Sequence, residues 1–173
     1  MGKKKKIWDR KSKIMNSTTR KIFLTLFYSG LSKKAPGTVG SFVALILAIV
    51  LLNFFSISNI FLASILITIL AIKQIDIYES ETQQHDGKEI VIDELAGMWI
   101  TISIAGVTTS HDYILFALSF VLFRVFDILK PSIVGRIDRD VKGGLGVMGD
   151  DVAAGVLAGL SVSLIVKIFI YFY

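Results

Sequence analysis

An all-α, multihelical bundle embedded in a membrane is the fold class this sequence predicts, and three observations carry it. Mean hydropathy is +0.67 and 53% of residues are hydrophobic, more apolar than an ordinary soluble domain. No charged residue occurs from Ala35 to Ile72. The acids are gathered at the edges of the apolar segments: seven lie between Asp76 and Glu94 and five between Asp127 and Asp151, twelve of the chain's fourteen. A carboxylate beside hydrocarbon-like sequence is costly unless it is paired, protonated or bound to a metal. The clusters therefore predict a cation site at the edge of the bundle. A soluble all-helical protein with an unusually apolar core is the alternative, and the 35–72 run argues against it.

Residues 1–21 read as a basic arm, with Lys3 to Lys6 followed by Arg10, Lys11, Lys13, Arg20 and Lys21, and this arm carries the net charge of +5. Such a tail could bind nucleic acid. Beside apolar spans it reads better as an arm held near anionic lipid headgroups, at about 1 kcal/mol per basic residue close to the surface, or as a solvated tail that only fixes topology. No nucleic-acid partner is expected. No compact apolar run with a small-residue cleavage site follows the arm, so no cleavable signal peptide is expected.

Residues 22–173 read as one domain. The segment IFLTLFYSGL, 22–31, is too short to span and is expected to lie in the interface or re-enter. The uncharged run is too long for one span of about 20 residues. The polar turn NFFSISN, from Asn53 to Asn59, divides it, and helices are predicted near 38–53 and 58–75. A third apolar helix is expected over 93–105, ending at Gly106, and a fourth over 113–129, stopped by Pro131. A fifth is expected over 152–173. Spans this short require either extension into the charged flanks or local thinning of the bilayer. The 53–59 and 106–112 loops contain no Lys or Arg, whereas the N-terminus, 73–92 and 130–151 together hold most of them. The positive-inside rule then predicts a cytoplasmic N-terminus, five short spans and both acidic blocks facing the cytoplasm.

Cysteine is absent, which removes thiolate metal sites and Cys nucleophiles, and the two histidines, His85 and His111, leave little room for a paired-His mechanism. Three motifs carry the chemistry instead. IVIDELAG puts Asp93 and Glu94 at a helix start. One acid there suits the macrodipole, but two, preceded by Asp86 and Glu89, exceed a cap. FRVFDILKP spaces Arg124, Asp127 and Lys130 by three, on one face of an apolar helix. That pattern suits a phosphate together with a metal, with an internal Arg124–Asp127 pair as the plainer reading. GGLGVMGDD places glycines before Asp150 and Asp151 at an expected helix start, where two acids need a cation between them, and Mg²⁺ fits best as a hard ion taking carboxylate oxygens. APGTVGS, from Ala35 to Ser41, offers Gly37, Thr38, Gly40 and Ser41 as weaker phosphate donors. The Asp138-x-Asp140 pattern in IDRDVK matches a dehalogenase-type nucleophile motif, but nothing around it alternates as a βαβ sheet requires.

Together, APGTVGS, HDGKEIVIDELAGMWIT, FRVFDILKP and DRDVKGGLGVMGDDVAAG resemble, in the same order, the blocks of the bacterial phosphatidylglycerophosphatase A family, over roughly Gly30 to Gly159. The resemblance implies a Mg²⁺-dependent hydrolase of the bacterial inner membrane that removes the terminal phosphate of phosphatidylglycerophosphate. By matching position it implies metal ligands at Asp86, Asp93, Glu94, Asp127, Asp150 and Asp151, and phosphate contacts at Arg124, Lys130 and Arg139, with Thr38 and Ser41 behind them. It does not extend to Glu89 or Asp140. Asp93, Asp127 and Asp151 are the candidate catalytic acids, as base for the attacking water or, for Asp93 or Asp127, as nucleophile. A phospholipid substrate in the membrane is the expected partner, and a homo-oligomer stays open. The competing classes are a cation transporter or channel, which would place acids at mid-membrane, a structural scaffold, and a phosphatase of another lipid or soluble phosphomonoester.

Overall fold

A computed structural model describes residues 15–84 and 86–172. The described residues fold entirely as helices and turns. In chain order the helices are α1 (Ser17–Leu24), a 3₁₀ turn (Ser29–Leu31), α2 (Pro36–Leu51), α3 (Ile57–Thr82), α4 (Ile92–Ile104), α5 (Tyr113–Leu129), α6 (Ile133–Asp140) and α7 (Gly144–Phe172).

α4 is the axis of the bundle. Every residue from Val91 to Ile100 is buried, and α2, α3, α5 and α7 all pack against it. A helix this apolar on all sides belongs inside a core. Small residues let α7 lie closest: a Cβ on Gly155 would sit 2.4 Å from the Gly97 carbonyl oxygen. Thr101 Oγ1 bridges this crossing, donating to the carbonyl of Gly97 (2.9 Å) or that of Gly155 (3.2 Å). On the α2 side, Trp99 Nε1 donates to the Ala44 carbonyl at 2.9 Å.

The outer helices turn apolar stripes outward. Phe42, Ile46 and Val50 on α2, Leu62, Leu66 and Ile69 on α3, and Leu160, Leu164 and Ile168 on α7 are all exposed, an extended apolar surface consistent with a membrane protein. Two helices, α3 and α7, are long and apolar enough to cross a membrane, and in each only 28% of the apolar window is buried within the bundle. α2 is apolar but shorter. The five predicted apolar segments all form helices, but five spans do not follow. At about 1.5 Å per residue α4 is only about 20 Å long, against a hydrocarbon core of about 30 Å, and it is walled in by its neighbours.

Three further expectations change. The basic arm was bounded at residue 21, but α1 begins at Ser17. Arg20 is 1% exposed, its Nη2 2.5 Å from Glu81 Oε2 at the end of α3. The lysines and arginines from Lys3 to Lys13 lie outside the described residues. Segment 22–31 finishes α1, turns through Leu26, Phe27 and Tyr28 at positive φ, and packs Leu24 and Leu26 into the core. Most consequentially, α7 starts at Gly144, not at residue 152. Asp76 of α3 accepts a hydrogen bond from Gly144 N at 2.7 Å, and a Cβ on Gly144 would meet the Ile72 carbonyl at 2.1 Å. The glycines therefore serve close helix packing, and Asp150 and Asp151 lie in the second turn of α7 rather than at its N-terminus.

Candidate active site

Four chain segments bring acids to one end of the bundle. The N-terminus of α4 contributes Asp93 and Glu94, the last turn of α5 and the residue that caps it contribute Asp127 and Lys130, α7 contributes Asp150 and Asp151, and the loop before α4 contributes Asp86 and Lys88. With Pro36, Gly37 and Asp138 they line a cavity of about 210 Å³. The loops at the other end, joined by Ser110 Oγ donating to Asn53 Oδ1 at 3.0 Å, contain no Lys or Arg. Asp112 caps one of them: its Oδ2 accepts from the backbone N–H of Thr108 (2.7 Å) and of Thr109 (2.9 Å), which holds its pKa below the usual carboxylate value.

Glu94, Asp127 and Asp151 form the heart of the site. One carboxylate oxygen from each lies within 4.8 Å of the others, close enough to share a metal ion. The three come from three different helices, so the cluster exists only in the folded bundle. The donors are all oxygen, which suits a hard cation and not a thiophilic one.

Arg124 holds this cluster from behind. Its Nη1 donates to Glu94 Oε2 at 2.5 Å and to Ser41 Oγ at 3.1 Å, and lies 2.9 Å from Asp127 Oδ2. Ser41 in turn donates to Glu94 Oε2 (2.7 Å) or to the Gly37 carbonyl (2.8 Å). Gly37 is needed here, because a Cβ would stand 2.2 Å from Glu94 Oε1. Neither Arg124 nor Ser41 is among the cavity-lining residues. Sequence reasoning gave both to the substrate phosphate. The structure gives them to the carboxylates, where they offset part of the cost of burying two acids together.

Lys130, like Lys88 and unlike Arg124, reaches the cavity. Its Nζ is 2.7 Å from Asp150 Oδ2 and also pairs with Asp138. Burial alone would lower its pKa, but the hydrogen bonds to Asp138 and Asp150 outweigh it and hold the ammonium above the ordinary lysine value. Its backbone is left-handed, with φ 45°, as is that of Ser132 at 46° and that of Asp86 at 48°. Non-glycine residues in this region cost of order 1 kcal/mol or more and cluster where function overrides local preference.

Consecutive acids thus part company. Residues 100° apart on a helix face different neighbours: Asp151 joins the cluster while Asp150 turns to Lys130. Asp93 lines the cavity and accepts from the Glu94 backbone N–H at 2.9 Å, outside the three-acid group. Asp86 lines the cavity at its rim. Thr38 and Arg139 are not among the lining residues, and Arg139 is exposed on α6. Sequence reasoning missed Lys88 and Asp138. Asp138 was seen only within a dehalogenase pattern, although its place eight residues after Lys130, across Pro131, was visible.

No solved structure matches this chain. Among curated proteins, phosphatidylglycerophosphatase A of Escherichia coli is 34% identical over 150 residues, 86% of this chain and 84% of that protein. Phosphatidylglycerophosphatase A of Haemophilus influenzae is 36% identical over 132 residues, 76% of this chain and 79% of its own length. A Bacteroides thetaiotaomicron protein provisionally named phosphatidylinositol-3-phosphatase is 35% identical over 144 residues, 81% of this chain and 89% of that one. The phosphatidylglycerophosphatase A family profile matches residues 22–166, a stretch that contains every residue of the cavity and every helix except residues 17–21 of α1 and 167–172 of α7. With cavity and match coinciding over most of its length, the chain belongs to the phosphatidylglycerophosphatase A family.

Proposed function

We propose that this protein hydrolyses the terminal phosphomonoester of phosphatidylglycerophosphate to phosphatidylglycerol and phosphate, with Mg²⁺, at the cytoplasmic face of a bacterial inner membrane. The observation that carries the reading is the meeting of Glu94, Asp127 and Asp151 within 4.8 Å beside the Lys130 ammonium, in a cavity at one end of lipid-facing helices. The names of the Escherichia coli and Haemophilus influenzae relatives supply the lipid.

Glu94, Asp127 and Asp151 would hold the metal ion, with Asp93 and Asp150 beside them. The chemistry Mg²⁺ supplies when bound is Lewis acidity toward the phosphoryl oxygens. Lys130 offers a charged hydrogen bond to the phosphate, whose charge spreads over its equatorial oxygens in the transition state. Arg124 and Ser41 hold the Glu94 carboxyl in place by hydrogen bonds and offset part of the cost of burying it. Asp93, next to the cluster and not paired with a cation, is the acid best placed to accept a proton from the attacking water. Acyl chains would lie along the exposed apolar stripes while the headgroup enters the cavity. The cytoplasmic orientation rests on the charge of the loops: Lys33, Lys34, Lys88, Arg136, Arg139 and Lys142 sit at the site end, and the opposite loops have no Lys or Arg.

The test is phosphate release from a panel of lipid phosphomonoesters, phosphatidylglycerophosphate and phosphatidylinositol 3-phosphate among them, with and without Mg²⁺. Asp151→Asn should abolish Mg²⁺-dependent release while the protein still inserts. Equal rates with and without a chelator, or full activity in Asp151→Asn, would sink the metal reading. A preference for the inositol lipid would move the substrate but not the chemistry.

A further inference from the structure

Lys130 is held in place more firmly than a surface lysine needs to be. Its backbone sits in the left-handed region with Pro131 behind it, and α6 packs directly on it: a Cβ on Gly135 would come within 2.5 Å of the Lys130 carbonyl oxygen. Two carboxylates then meet its ammonium. Asp150 is nearly buried, with its side chain 9% exposed, whereas Asp138 is 38% exposed at the end of α6. An exposed ion pair adds little stability, with a median of about 0–1 kcal/mol. α6 is anchored independently of Asp138, through buried Val134 and Gly135. The Asp138–Lys130 contact is therefore poorly explained as a staple for the fold.

Resting on the phosphatase reading above, we propose that Asp138 is a positioning residue for the substrate phosphate. An ammonium has three hydrogens on a flexible four-carbon stem. Asp138 and Asp150 take two of them, and the third is left for a phosphate oxygen in the cavity that Lys130 and Asp138 both line. Without Asp138 the ammonium keeps only Asp150 and is free to fold toward the remaining carboxylates, where it would neutralise the acids that hold the metal and turn away from the substrate. Asp138 thus acts through Lys130 and touches no reacting atom.

The experiment uses the full chain in detergent micelles at saturating Mg²⁺, with Asp138→Ala, Asp138→Asn and, as a control, Asp140→Ala. Asp138→Ala should raise both KM for phosphatidylglycerophosphate and the inhibition constant of inorganic phosphate about tenfold, the scale of one charge-assisted hydrogen bond, with a much smaller change in kcat. Asp138→Asn keeps an oxygen acceptor and should recover part of the loss, and Asp140→Ala should change neither constant. Thermal midpoints of the three variants should stay close to that of the unaltered protein. KM and phosphate inhibition within twofold of the unaltered values in both Asp138 variants would overturn the proposal. So would a collapse of kcat at unchanged KM. If the unaltered protein releases no phosphate from any lipid, the phosphatase reading fails. The positioning role is then read separately from ³¹P NMR titration with inorganic phosphate, where Asp138→Ala must still bind about tenfold more weakly and equal binding refutes it.

Discussion

The crossing of α4 and α7 sets the spacing of the acid cluster, and Gly155→Ala tests that link. A Cβ there would lie 2.4 Å from the Gly97 carbonyl oxygen, whereas ordinary contact begins at 3.4 Å. The obstacle is backbone, so no rotamer change relieves it, and the two helices must part by about 1 Å in a core packed to crystal-like density. Asp151 is one turn before Gly155 and Glu94 nearly one turn before Gly97, so the displacement passes to their carboxylates. These now lie within 4.8 Å. Oxygens bound to one Mg²⁺ at 2.0–2.1 Å are at most about 4.2 Å apart, so the carboxylates must draw together to share an ion, and a further 1 Å of separation opposes that. Overpacking should cost about 1–3 kcal/mol, and misplacement on this scale about 100-fold in rate. The assay is a Mg²⁺ titration of phosphate release, read beside a thermal melt. Half-saturating Mg²⁺ should rise at least tenfold and the maximal rate fall about 100-fold. Gly149→Ala is the internal control. Its Cβ would meet only the Ile137 Cγ2 methyl, a side-chain atom, at 3.1 Å, so its activity should stay within about twofold. Gly155→Ala with normal Mg²⁺ dependence and normal rate would refute the coupling of helix packing to the site.

Arg124→Met should destabilise the protein by about 3–5 kcal/mol, because it leaves Glu94 and Asp127 buried without their counter-charge. Added Mg²⁺ should recover more stability in this variant than in the unaltered protein, as read by melting with and without chelator. Asp112→Ala probes the far end of the bundle. The folded-state pKa of Asp112 is depressed by the Thr108 and Thr109 amides, so its contribution is present above the unfolded value and is lost as pH falls through the folded one. The variant should melt below the unaltered protein at pH 7, and the gap should close in acid. A gap that stayed constant or widened as the pH fell through the acid range would contradict the assignment of those hydrogen bonds.

Much of the bundle was legible along the chain. The charge-free run from 35 to 72, broken at Asn53, marked α2 and α3, and Pro131 marked the end of α5, because local periodicity and helix stops act over a few residues. The start of α7 was not legible. Gly144 begins a helix because Asp76, 68 residues earlier, accepts its N–H, and no local pattern reports such a partner. Arg20 misled for the same reason: within a basic arm it reads as solvated, yet Glu81, 61 residues away, draws it into the core.

The same division runs through the site. From the sequence alone came an all-helical, strongly apolar chain, two acidic blocks at helix ends, a Lys130 following Arg124 and Asp127, and hence a metal-and-phosphate chemistry. These follow from composition and from spacing along single helices. The tertiary structure decided which acids meet. Asp150 and Asp151 are neighbours in sequence but face about 100° apart, so one serves Lys130 and the other joins Glu94 and Asp127. Arg124, which shares a helix face with Lys130, is sealed behind the cluster because α2 brings Ser41 and α4 brings Glu94 against it. A face can be read from periodicity. The partner that arrives at that face depends on packing between segments far apart in the chain, and only the folded bundle sets it.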